Sequence, residues 1–263
     1  VTVTAAVTPV PPPGGITTGV PDALFTNLGG GVGLIGVNEG VLALTIDEPG
    51  GIIDITTDVG DDDNHALVAG AFKPADGEMF MEVRCKITDS VAAARAAVFV
   101  GFTETLSHAT PVMPAETATT TTTYNGTGGM IGFVMDSDAT TIAWRFVAGD
   151  AGATLATEAG PGAVGLAAGA AGTAIGITAN AQTLTADRWY LFRVLVHPNG
   201  LGEGWFGDIG AEDDLKLVGK NTAVLGTADS FHACALIENR SAANERLEVD
   251  YFEAQGGRDW AAD

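Results

Sequence analysis

Basic residues are scarce in this chain: 12 Lys and Arg stand against 33 Asp and Glu in 263 residues, a formal net charge of -21. Phosphate backbones and anionic headgroups are held by clustered Lys and Arg, and no local basic cluster overrules the net charge, so neither nucleic acid nor a membrane surface is expected as a partner. There are two cysteines, Cys85 and Cys234. That is too few for a disulfide framework; one bridge is open to them, and buried free thiols are the expected state. No run of about 18 apolar residues occurs, so no membrane-spanning helix is encoded. The opening VTVTAAVTPV lacks the basic start and apolar block of a secretory signal, and export by that route is not expected. A nucleophile triad, a phosphate-binding glycine loop and an H-x-x-x-H metal pair are missing too. His65, His108, His197 and His232 stand apart from one another, and no cofactor is expected.

What the chain does contain is β grammar. In LTADRWYLFRVLVHPNGLGEGWFG, residues 184–207, Trp189, Leu191, Arg193 and Leu195 alternate with Tyr190, Phe192, Val194 and Val196. Such an aromatic, branched run makes a full-length strand. Pro198-Asn199-Gly200 stops it, and 201–206 returns as the second arm of a hairpin. In MFMEVRCKIT, Met79, Met81, Val83, Cys85 and Ile87 fall on one face and Glu82, Arg84 and Lys86 on the other, which predicts a half-buried strand with Cys85 as a packed thiol. Short apolar pieces such as ALFTNL, VLALTI, AAVFVGFT, LKLVG and RLEVDYFEA recur between Gly-rich breaks, about fourteen strand candidates with no convincing helix. The expectation is one all-β domain of sandwich type.

Three stretches depart from that grammar. Residues 1–21 alternate Val and Thr and then run into Pro11-Pro12-Pro13-Gly14-Gly15, which reads as an extended arm. Its Val1, Val3, Val7 and Val10 offer a β-compatible edge for a partner's sheet. Residues 104–129 and 149–182 read as long loops, where a rigid sandwich carries its binding surfaces. The domain limits are therefore 1–21 for the arm, 22–257 for the sandwich and 258–263 for a tail. In DVGDDDNH, Asp61, Asp62, Asp63 and Asn64 supply hard oxygen ligands of the kind calcium takes, but without the spaced D-x-D-x-D-G pattern; a solvated turn accounts for them, and no metal is expected. Of the tryptophans, Trp189 and Trp205 suit the hairpin core, leaving Trp144 and Trp260 as the rings available to stack on a sugar.

MFMEVRCKI leading through AAVFVGF, the hairpin DRWYLFRVLVHPNGLGEGWFGD and the closing LEVDYFEAQ together resemble the concanavalin A-like lectin/glucanase superfamily. The likeness covers roughly residues 22–257 and implies a jelly-roll β-sandwich, here with an extended N-terminal arm. Its motifs are packing patterns and speak to fold more than to chemistry. Within that fold, DDNHAL-x-x-G-x-F-K-x-x-x-G at residues 62–77 and the Ala/Gly/Thr-rich text look like tailed-phage proteins that decorate or cement the head. This implies a non-enzymatic virion protein on the outer capsid surface, bound to the major capsid protein lattice as a homo-oligomer, with a trimer favoured. The alternative is a carbohydrate-binding or glycoside-hydrolase domain of the same fold. Glu248-Val249-Asp250-Tyr251-Phe252-Glu253 is similar to the E-x-D-x-x-E signature of laminarinase- and lichenase-type enzymes, which would make Glu248 the nucleophile, Asp250 its support and Glu253 the acid/base. That family carries the motif mid-chain, whereas here only ten residues follow Glu253. Without a bulge the two glutamates would face opposite ways.

Overall fold

The computed structural model describes residues 2–4, 23–27, 40–45, 52–57, 64–88, 96–104, 113–118, 121–124, 128–140, 142–150, 153–154, 157–159, 173–174, 188–221, 224–240 and 245–257. The strands are β1 (Thr2–Thr4), β2 (Ala23–Asn27), β3 (Gly40–Thr45), β4 (Ile52–Thr57), β5 (Asn64–Phe72), β6 (Met79–Thr88), β7 (Ala96–Thr103), β8 (Ala115–Ala118), β9 (Thr121–Tyr124) and β10 (Met130–Asp136). They continue with β11 (Arg145–Asp150), β12 (Ala153–Thr154), β13 (Thr157–Ala159), β14 (Thr173–Ala174), β15 (Tyr190–Val196), β16 (Gly202–Gly207), β17 (Lys216–Asn221), β18 (Phe231–Asn239) and β19 (Arg246–Gln255). The helical turns among the described residues are single 3-10 turns at Pro74–Asp76 and Glu212–Asp214.

Two antiparallel sheets face each other. The first runs β1-β3-β4-β19-β6-β15-β16-β17-β13, and the second β12-β11-β10-β7-β18-β5-β2 with β14 beside β11. Both sheets have their sequence-distant strands at the centre: β19 pairs β6, and β18 pairs β7 and β5. β19, the last described strand, thus sits inside the first sheet between β4 and β6, and β18 sits inside the second between β5 and β7. This is the all-β sandwich that the strand pattern predicts, with the jelly-roll architecture that the resemblance implies.

The core lies between the sheets and follows the alternation in the sequence. Met79, Met81, Val83, Cys85 and Ile87 point inward from β6, against Val98, Val100 and Phe102 of β7 and Phe133 of β10. Phe192 sits at the centre of an aromatic cluster, with its ring 4.4 Å from Trp144, 5.2 Å from Phe133 and 5.4 Å from Phe206. These rings explain the small residues of β16. A Cβ at Gly204 would stand 2.3 Å from the Phe146 ring, and one at Gly202 would stand 2.5 Å from Ile131. The turn after β15 needs Gly200, whose φ is 79°, a left-handed conformation that other residues adopt at a penalty.

The two long irregular stretches contain structure the sequence reading did not assign. Within residues 104–129, β8 and β9 form a hairpin, and within 149–182 the short β12, β13 and β14 extend both sheets. Thr2–Thr4 of the arm pair with Ala43–Thr45 at the edge of the first sheet, Val3 opposite Leu44. Val1, Val7 and Val10 lie outside the described residues, as do Asp61, Asp62 and Asp63. Asn64 opens β5 opposite Glu238.

Candidate functional site

The outer face of the first sheet holds the E-x-D-x-x-E residues. Along β19 the register against β6 runs Glu248 opposite Lys86 and Val249 opposite Cys85, then slips, so that Tyr251 stands opposite Arg84 and Glu253 opposite Glu82. Asp250 is the extra residue of a β-bulge. An extra residue restores the parity that an odd spacing breaks, so Glu248 and Glu253 share the outward face while Val249 and Phe252 stay inward. Four residues of β6 separate the positions opposite the two glutamates, about 13 Å at strand rise.

Each acid of the motif has partners. Glu248 lies 2.8 Å from the Lys86 ammonium through one oxygen and 2.7 Å from the Arg246 guanidinium through the other. Arg84 donates to Asp250 at 2.6 Å. Burial nevertheless moves the Asp250 carboxyl up from its ordinary range, and Arg84 and Lys86 offset this only in part. Glu253 accepts from the Tyr251 hydroxyl and from the Gln255 amide. The first of these bonds is the main reason the Tyr251 phenol is pushed up to about 12. The arrangement is a sheet-face lattice of alternating charge, continued by Arg193, which bonds Glu82 at 2.6 Å.

Aromatic residues are interleaved with these charges. The Trp189 ring carries the Arg84 guanidinium 4.9 Å and the Lys86 ammonium 5.0 Å from its centre, so cations cap it. Trp205 stands opposite Arg193 on the same face, half-buried. Beyond β16, Asp214 accepts the N–H groups of Asp208 and Ile209, Arg188 clamps Asp208, and Gly210 lies against Trp189. The turn so fixed presents Ile209, 59% exposed. Burial and the hydrogen bond it donates to Asp214 raise the Asp208 carboxyl. For Asp214 burial acts upward too, but the bonds from Asp208 and the two N–H groups outweigh it and hold that carboxylate low.

The tryptophans therefore sit the other way round from the sequence expectation. Trp144 is only 1% exposed, packed against Phe192, and Trp189 and Trp205 face outward. Trp260 lies outside the described residues.

The outer face of the second sheet is closed. Every residue of β7 and β10 is buried, on both faces. The inward residues belong to the main core, while Ala97, Phe99, Met130, Val134, Val147, Cys234 and Leu236 form a second apolar layer roofed by Met113 and Ala115. The hairpin β8–β9 is thus a strap across this sheet. Arg240 anchors it, reaching Glu238 at 2.5 Å, Asp136 at 3.2 Å and Glu116 of the strap at 3.5 Å, while Thr117 donates its N–H to Asp136 at 2.8 Å. At the strap's neck the Glu104 N–H donates to Gly129 at 2.9 Å. There burial and the carboxylates of Asp229 and Asp150 push the Glu104 carboxyl up, against the lowering bond to the Gly129 backbone.

Both thiols are free and buried, Cys85 in the main core and Cys234 under the strap, and burial pushes both upward, away from reactivity. Among the described residues no group of three His, Cys, Asp or Glu is placed to hold a metal ion.

No protein-family model matches the chain, and no curated protein does. Solved structures superpose on it. The carbohydrate recognition domain of Emp46p, in its metal-free form, superposes with a TM-score of 0.50 at 9% identity, over 90% of this chain and 89% of that one. The exoplasmic/lumenal domain of VIP36 in its Ca2+-bound form gives 0.45 at 12% identity, over 94% and 88%. Alginate lyase vAL-1 from Chlorella virus gives 0.45 at 11% identity, over 84% and 91%. The chain has the concanavalin A-like lectin fold, a jelly roll of two antiparallel sheets. At such identities the likeness extends to fold and no further.

Proposed function

We propose that this chain is a non-enzymatic structural protein of a tailed-phage virion, bound to the major capsid protein lattice on the outer capsid surface. The observation that carries the reading is the strap: one broad outer face is sealed by the chain's own hairpin, which removes a groove that a polymeric substrate would need. On the other broad face the carboxylates of the E-x-D-x-x-E motif are occupied by Lys86, Arg246 and Arg84. With those carboxylates occupied, the arm is the segment left to reach the lattice. Val1, Val3, Val7 and Val10 are the residues proposed to bring the arm to the lattice, by strand addition. Protein analysis of purified virions is the test. The chain is expected in a fixed ratio to the capsid protein, and a chain lacking residues 1–20 is expected to bind heads more weakly. Virions that lack the protein overturn the proposal.

A second reading, a carbohydrate-binding or carbohydrate-cleaving domain, is favoured by the bulge at Asp250, which sets Glu248 and Glu253 on one face. Incubation with laminarin or lichenan decides it. We expect no reducing ends; hydrolysis that vanishes in Glu248→Gln would establish the enzyme instead.

A further inference from the structure

The sandwich has two broad outer faces, and among the described residues the chain covers only one of them. We propose that the other, the outer face of β6, β15, β16, β17 and β19, is the contact between two copies of this chain, packed face to face about a two-fold axis.

Charge carries the argument. The molecule as a whole bears -21, so copies repel one another. This face is closer to balance. Arg84, Lys86, Arg193, Lys220 and Arg246 stand there among Glu82, Glu203, Glu248, Asp250 and Glu253, and Glu212 at the rim reaches Arg193 at 3.4 Å, five basic groups against six acidic. That leaves seven basic and 27 acidic residues for the rest of the chain. A strongly basic partner would gain more anywhere else on the molecule. For a second copy, however, a nearly balanced face with interleaved signs is the place where two acidic molecules can meet with little penalty, and the same patch serves both, as a two-fold contact requires.

The apolar content of the face agrees. Phe80, Leu195, Trp205 and Leu217 face outward half-buried between the charges, and Tyr251 is 41% exposed. Ile209, at 59%, stands on the rigid turn beside Trp189 and Arg84. Interleaved aromatics, Arg and aliphatics are the composition of an interface centre. Five strands at about 4.8 Å spacing and about 26 Å mean length give roughly 600 Å², about three quarters of the roughly 800 Å² each partner contributes to a standard interface. Pairing there also buries Glu248 and Glu253, which is consistent with a face that does no chemistry. The contact gives a two-fold assembly in place of the trimer expected from sequence.

The inference depends only on the surface of the isolated chain, so its test needs no virions and can fail while the capsid reading stands. Sedimentation of the full chain at about 50 µM and about 0.15 M salt is expected to show a dimer, or an assembly with an even number of copies. The double variant Leu195→Glu with Tyr251→Glu is expected to sediment as a monomer with an unchanged circular dichroism spectrum. Val224→Glu, whose side chain is 55% exposed beside the turn at Gly200, is expected to assemble like the parent chain. Should the double variant lose its fold, Ile209→Glu on the exposed turn carries the test, with at least a tenfold weaker association expected. A monomeric or trimeric parent chain, or folded face variants that assemble as well as the parent, overturns the proposal.

Discussion

Arg240 shows how much a single residue can organise. Its side chain is 10% exposed and meets Glu116, Asp136 and Glu238, of which Asp136 and Glu238 are 1% and 3% exposed. Burial acts to lower the guanidinium, but the surrounding carboxylates outweigh it and hold the charge in place. Removing the cation leaves those carboxylates buried together, so Arg240→Ala should destabilise the protein by about 3 kcal/mol in urea unfolding. Arg240→Lys should recover only part of that, since one ammonium cannot fork to three acids. Glu104 is the opposite case, an acid among acids. Its carboxyl is raised in the folded state, so the fold binds the proton more tightly than the unfolded chain does. The stability this proton gives is full below the ordinary carboxylate range and is lost as pH rises through the raised value. Glu104→Gln should therefore raise the melting temperature at neutral pH and flatten its fall as pH rises above the ordinary carboxylate range. A variant that melts with the parent's pH dependence would place the sensitive group elsewhere.

At the scale of elements, β7 and β10 approach each other closely in the middle of their sheet. Gly101 pairs with Gly132, and a Cβ on Gly101 would stand 2.3 Å from the Ile131 carbonyl oxygen and 2.5 Å from the Gly132 Cα. Both obstacles are backbone in the middle of a sheet and cannot swing aside. Gly101→Ala should cost about 3 kcal/mol or prevent folding, read as lost soluble protein or a lowered urea midpoint. Elements of this kind were unevenly legible. β6 and β15 could be read directly, because one wet and one dry face impose strict alternation, and the buried and outward residues of β6 are the ones the pattern separates. The runs AAVFVGFT and MIGFVMD carried a further signal, continuous apolarity, which means a sheet buried on both faces. The element that covers them was hidden in Thr-rich text. Met113, Ala115 and Thr117 do alternate with Glu116 and Ala118, but small side chains give that pattern little weight. The bulge was not legible at all, since it depends on the register between β19 and β6, and that register is a tertiary property. Consequently the sequence could name Glu248 and Glu253 but not the face they share.

For the molecule as a whole, two electrostatic effects of opposite sign compete, and their ranges decide between them. Repulsion among an excess of 21 negative charges acts across the width of the sandwich, whereas the ion pairs on the outer face of the first sheet act at 2.6 to 2.8 Å. The Debye length is about 30 Å at 0.01 M salt and falls to a few Å near 0.5 M. Added salt therefore removes nearly all the long-range repulsion but only part of the attraction between partly buried groups in contact. Native and unfolded chains carry similar charge, and the compact state holds it closer together, so screening favours the fold. The melting temperature should rise steadily as sodium chloride is raised from about 0.01 to about 0.5 M, most steeply at the low end. Scanning calorimetry in chloride salts checks this without the separate stabilising action of sulfate or phosphate. A melting temperature that falls with salt would mean that the ion-pair lattice outweighs the net charge, and the Arg84–Asp250 and Lys86–Glu248 pairs would then rank with the core among the forces holding the first sheet together.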